Sequence, residues 1–66
     1  MNWDQLKGSW KELSGNVKAK WGDLTDDDLQ EADGDREVLE GKIQSRYGKT
    51  KEEARNEVDE FLAEQD

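Results

Sequence analysis

Apolar residues along the first third of the chain recur at one spacing. Trp3, Leu6, Trp10, Leu13, Val17 and Trp21 follow one another at intervals of three, four, three, four and four residues. At 3.6 residues per turn these positions share one face of an α-helix. Val38, Leu39, Ile43 and Tyr47 form a second such stripe, and Ala54, Val58, Phe61 and Leu62 a third. No alternating run of the β type occurs, and the chain has no Pro. An all-α fold follows, in which each helix must bury its stripe against another.

The helix ends are written in the residues between the stripes. Asn2 can cap the first helix, with Gln5 at the third helical position, and the stripe predicts a helix over about 3–21. Gly22, just past the last aromatic, is the expected left-handed terminator. Thr25 and Asp28 make a capping box with Asp in place of Glu, and Leu29 and Ala32 give a short second helix its apolar side. Asp26, Asp27 and Asp28 then lie in a first turn, where the helix dipole favours negative charge. Asp33-Gly34-Asp35 breaks the chain before a third helix, unless Gly34 only kinks one longer helix. Gly48 closes the third helix, and Thr50-Lys51-Glu52-Glu53 opens the fourth with a full capping box.

The six glycines stand at 8, 15, 22 and at 34, 41, 48, two sets spaced by seven and offset by 26. Under that offset, Leu13, Gly15, Val17, Lys20, Trp21 and Gly22 match Leu39, Gly41, Ile43, Arg46, Tyr47 and Gly48. A Thr followed by acids comes after each copy. We read an internal duplication, with pseudo-repeats 3–32 and 34–64 in a single domain of residues 1–66. The expected architecture is a four-helix bundle made of two similar helical hairpins packed on each other. Gly8, Gly15 and Gly41 fall inside the expected helices, each costing about 1 kcal/mol relative to Ala. Either they let a neighbouring backbone approach, or they keep the helices weak so that folding responds to water activity.

Composition narrows the chemistry. A core in 66 residues supplies only about 3–5 kcal/mol, and with neither Cys nor His there is no disulfide and no ordinary zinc, haem or iron–sulfur ligation. The net charge is −8, which opposes binding to nucleic acid or to an anionic membrane. Residues 23–40 hold nine acids against one base, whereas residues 1–22 hold four bases against two acids. Residues 1–7 contain no apolar run of the signal-peptide type, and a cytoplasmic location is expected.

The strings Leu13-x-Gly15-x-Val17-x-x-Lys20-Trp21-Gly22-x-Leu24-Thr25-Asp26-Asp27-Asp28 and Gly41-Lys42-Ile43-Gln44-x-Arg46-Tyr47-Gly48 resemble the CsbD-like family of small bacterial stress proteins. The resemblance runs from Trp10 to about Phe61. It implies a bundle of two roughly orthogonal helical hairpins, a role in general stress or stationary phase, and no catalytic residues to carry over.

Each remaining motif has a plain structural explanation. Placing Gly34 at the sixth position of a calcium loop puts Leu29 at the first, so the EF-hand pattern fails and no metal or other cofactor is expected. Pairs of carboxylates arise by density alone among 18 acids, and no His, Cys, nucleophile elbow or phosphate-cradling Gly loop accompanies them, so no enzyme and no small-molecule substrate are expected. The tryptophans lie among Lys7, Lys11, Lys18 and Lys20, yet their helical spacing marks them as core. Trp3, Trp10, Trp21 and Tyr47 are the candidate interaction face, since an exposed aromatic beside an apolar patch would make a docking site for a protein partner or clients. The leading expectation is a non-enzymatic stress-response protein acting as a hydrophilic protectant, and the alternative a small helical interaction module.

Overall fold

Asn2 opens the chain's first helix as its position before the stripe requires. Its side chain accepts the Gln5 N–H at 2.9 Å, and the Gln5 side chain accepts the Asn2 N–H at 3.2 Å. The structure, a computed structural model, describes residues 2–65; Met1 and Asp66, the ends of the expected 1–66 domain, lie outside the described residues. There are five helices among these residues, and no strand: α1 (Trp3–Lys7), α2 (Trp10–Lys20), α3 (Asp26–Ala32), α4 (Arg36–Tyr47) and α5 (Lys51–Glu64).

The expected first helix over 3–21 is therefore two, and the expectation of four helices is corrected to five. The break falls at Gly8-Ser9, a poor helix former beside a residue that favours caps. The Ser9 N–H turns back to the Leu6 carbonyl at 2.9 Å, and the Ser9 carbonyl starts α2 by accepting from Glu12 and Leu13. The break has a tertiary consequence. On an unbroken helix residues seven apart are separated by about 10.5 Å along the axis; the Trp3 and Trp10 ring centroids are 5.9 Å apart.

The other boundaries follow the caps. Thr25 exchanges bonds with Asp28, and Thr50 with Glu53, each a complete capping box. Asp35 caps α4 by accepting from the Glu37 and Val38 N–H groups. Helices α3 and α4 are separate, because Asp33 (φ 45°) and Gly34 (φ 83°) turn the chain through the left-handed region in succession. Gly48 (φ 64°) ends α4, and the Lys49 N–H reaches back to the Gln44 carbonyl at 3.2 Å. Gly22 does not repeat this device. Trp21 itself leaves the helix at φ −116°, ψ 77°, which turns its indole into the core, and no left-handed residue follows. The expectation that glycines admit a neighbouring backbone also fails at Gly15 and Gly41, where a Cβ would meet nothing within 4 Å. Gly8 is not interior to a helix but ends α1.

All three apolar stripes turn inward. Leu6, Leu13, Val17 and Trp21 are buried with Leu39 and Ile43 of α4 and Ala54, Val58 and Phe61 of α5. Leu24, in the link from α2 to α3, is also buried. The most extensive backbone contacts are α4 with α5, α3 with α4, and α1 with α2. Helix α2 also reaches α3 and the end of α5 through side chains: Lys18 pairs with Asp26 at 2.7 Å, Lys20 with Glu64 at 3.5 Å, and Asn16 donates to Gln65 at 3.3 Å. The radius of gyration is 10.6 Å, against about 10.8 Å for a packed domain of this length.

Candidate functional site

The four aromatics of the candidate face fall into two groups. Trp3 and Trp10 are half-buried and stand together, with rings tilted by 55°. Trp21 is buried, packs on Phe61 at 5.3 Å, and is joined through Glu57 and Lys49 to the half-buried Tyr47. Each of the four has a hydrogen-bond partner inside the molecule. The Trp3 ring N–H donates to the Gly34 carbonyl at 2.6 Å and the Trp10 ring N–H to the Leu29 carbonyl at 3.0 Å. The Trp21 ring N–H donates to Glu57 Oε1 at 3.0 Å, and the Tyr47 hydroxyl accepts the Asp23 N–H at 3.0 Å. These four bonds join segments 19 to 36 residues apart in sequence. A buried indole N–H must find a partner, and here the partner is always another part of the fold.

Two carboxylates are buried, and sequence reasoning singled out neither for it. Asp28 was expected as the capping-box partner of Thr25 and as one acid of a first turn, both local roles at a helix start. Its two oxygens take the Arg46 guanidinium at 2.8 and 3.1 Å, and Lys42 approaches at 3.6 Å. The Arg46 hydrogen bonds, with the Thr25 N–H, hold its carboxyl far below the usual carboxylate range. Glu40 accepts from Arg36 at 2.7 Å, and Arg36 also reaches Asp59 and the Arg55 carbonyl. Glu57 is held low by its hydrogen bond from Lys49, reinforced by the Trp21 N–H. A buried carboxylate with a bidentate arginine is a fixed charge rather than a proton donor. The capping box was the one available signal for Asp28; its arginine, 18 residues away, has none.

The other acids of the 23–40 segment spread outward. Asp26 is taken by Lys18 and Glu31 by Lys42, and among the described residues no three carboxylates converge on a point where a metal ion could sit. Shallow grooves mark the surface of the described residues. One, of about 380 Å³, lies between α1, α2 and Gln65, with Leu6 and Leu13 at its floor. A second, of about 460 Å³, lies between α2 and α3 beside Trp10, and a third, of about 380 Å³, beside Trp3. Among the described residues no helix is long and apolar enough to cross a membrane.

Fold and surface together define a small all-helical protein whose interior is pinned by indole hydrogen bonds and whose exterior is acidic and ion-paired. The chain belongs to the CsbD-like family of bacterial stress-response proteins, whose family model matches residues 4–56. It is 61% identical over 61 residues to a UPF0337 protein of Pseudomonas aeruginosa, covering 92% of this chain and 94% of that one. It is 57% identical over 62 residues to a UPF0337 protein of Bordetella pertussis, covering 94% of each. The UPF0337 protein YjbJ of Escherichia coli is 51% identical over 61 residues, 92% of this chain and 88% of the relative. No solved structure matches the chain.

Proposed function

We propose that this chain is a non-enzymatic, cytoplasmic stress-response protein that protects other macromolecules by physical means. The observation that carries the reading is where its polar groups go. Its buried acids are locked to arginines and its indole N–H groups and Tyr47 hydroxyl oxygen are bonded to its own fold, while the other acids are mostly exposed among the described residues and the chain carries a net charge of −8. A strongly hydrated, self-repelling surface keeps neighbouring macromolecules apart when water is scarce. Membership of a stress-response family supports this reading. The test is drying a labile enzyme with and without the protein, beside an inert protein of equal size and charge. Protection above the inert control is expected; equal protection would refute the mechanism.

The duplication belongs to the same proposal. A single domain with pseudo-repeats 3–32 and 34–64, built as two hairpins α2–α3 and α4–α5, agrees with the capping boxes at Thr25 and Thr50. Gly22 and Gly48 depart from it in conformation. The test is superposition of the two hairpins: a close match of their backbones is expected, and unlike interhelical angles would refute the duplication.

The second reading, a helical interaction module, is favoured by the half-buried pair Trp3 and Trp10 beside two grooves. Pull-down from stressed cells separates the readings: one stoichiometric partner supports the module, a diffuse client set the protectant.

A further inference from the structure

Trp3 and Trp10 differ from the other two aromatics in how they are finished. Lys20 stands over the Trp21 ring at 5.6 Å and Lys49 over the Tyr47 ring at 5.8 Å, so both have a cation of their own. Among the described residues no cation stands over Trp3 or Trp10 at such a distance. Both indoles are nonetheless held in place, because their N–H groups are fixed on the carbonyls of Gly34 and Leu29. A ring oriented before its partner arrives loses little freedom on binding.

The grooves beside the two rings meet at one residue. Asp33 lines both, is exposed, and has no ion-pair partner among the described residues. The other charges of the grooves are mostly committed. Lys7 is beside Asp4 at 3.8 Å, Arg36 is held by Glu40 and Asp59, and Asp26 by Lys18. Asp35 is engaged in capping α4, and Lys11, with no ion-pair partner among the described residues, also lines the Trp10 groove. Asp33 belongs to the 23–40 segment, which holds nine acids against one base.

We propose that the paired grooves dock a basic segment of a partner protein, with an arginine stacked on the open face of Trp10 and its charge turned to Asp33. A guanidinium suits this place better than an ammonium. It is flat, stacks on an indole, and presents a fork of donors to a carboxylate at its edge. The field of the 23–40 segment steers such a segment in. Tryptophan and arginine are also both enriched at the energetic centre of protein interfaces. The inference rests on the interaction-module reading and is independent of the protective one.

The experiment is a titration of the full chain with a hexa-arginine peptide, followed through the indole N–H resonances. The Trp10 and Trp3 signals should move together and saturate, while Trp21, buried and bonded to Glu57, stays in place. A hexa-lysine peptide should bind at least about threefold more weakly. Asp33→Asn should weaken hexa-arginine binding by about threefold or more, and Glu60→Gln by clearly less. Both variants remove one exposed acid, but Glu60 lines neither groove. Asn tolerates the left-handed backbone that Asp33 adopts, so the fold is kept. Trp10→Leu should abolish the saturable shift, and if that variant does not fold, the Asp33 and Glu60 pair still decides. Equal losses in that pair, or no indole shift, would overturn the docking surface. A stoichiometric partner in the pull-down that binds elsewhere would then keep the module reading and refute only this site.

Discussion

Single residues show where this sequence departs from the most stable one. Gly15 and Gly41 lie within α2 and α4, exposed, with open space where a Cβ would be. Nothing in the packing requires glycine there, so each weakens its helix without a contact in return. Gly15→Ala and Gly41→Ala should each stabilise the chain by about 1 kcal/mol, read in urea unfolding. In a thermal melt that is a rise of roughly 4–8 °C for each substitution. Gly34→Ala should do the opposite. Its backbone is left-handed, and a Cβ there would lie 3.1 Å from the Lys7 Cβ, so a loss of about 1–2 kcal/mol is expected. Helical position and composition are visible in a sequence, but the free space at Gly15 and the crowding at Gly34 are not. A residue's distant neighbours set both.

At the scale of elements, the caps were the most legible feature. Asn2, Thr25 and Thr50 each close the box their spacing announces, because a cap is a local exchange between residues three apart. Thr25→Ala and Thr50→Ala should each cost about 1 kcal/mol, measured by chemical unfolding. The break at Gly8-Ser9 was not legible, although both residues are poor in helix propensity. The stripe passes through them without a gap, and beyond the helix Gly34 and Leu29 hold the two indoles on either side of the break. The Arg46–Asp28 pair likewise belongs to no one element. Arg46→Ala would leave the buried Asp28 with only Lys42 and the Thr25 N–H, and should lower the melting temperature more than Arg55→Ala does.

The whole molecule depends on a small core. Leu39 of α4 is fully buried, and Leu39→Ala should cost about 2–5 kcal/mol. A core in a chain this short supplies about 3–5 kcal/mol, so the variant should be largely unfolded at 25 °C by circular dichroism. Stability should also depend on pH with a sign fixed by the ion pairs. Arg46 holds Asp28, the Thr50 N–H holds Glu53, and Lys49 holds Glu57, each below its ordinary value of 3.8 or 4.5. Their contribution is complete above those values and is lost as pH falls through the depressed ones. Lys42 is raised by Glu31 and Lys49 by Glu57, above 10.5. Their contribution is complete below 10.5 and is lost as pH rises through the raised values. Melting temperatures should therefore be level between about pH 5 and 10 and fall on both sides. A maximum below pH 4 would contradict the assignment of these pairs.

Helical class, three apolar stripes, the capping boxes and an interruption at Asp33-Gly34-Asp35 were set by the order of residues alone; whether that interruption parts two helices or kinks one was not. Each depends on neighbours within about a turn, where backbone geometry converts spacing into position. Only the tertiary structure decided that the first stripe is carried by two helices, that Asp28 and Glu40 are buried, and that the four aromatics divide into two groups. Those outcomes rest on hydrogen bonds between residues up to 36 positions apart, and no local pattern of the chain specifies which distant carbonyl or carboxylate an indole or guanidinium will meet.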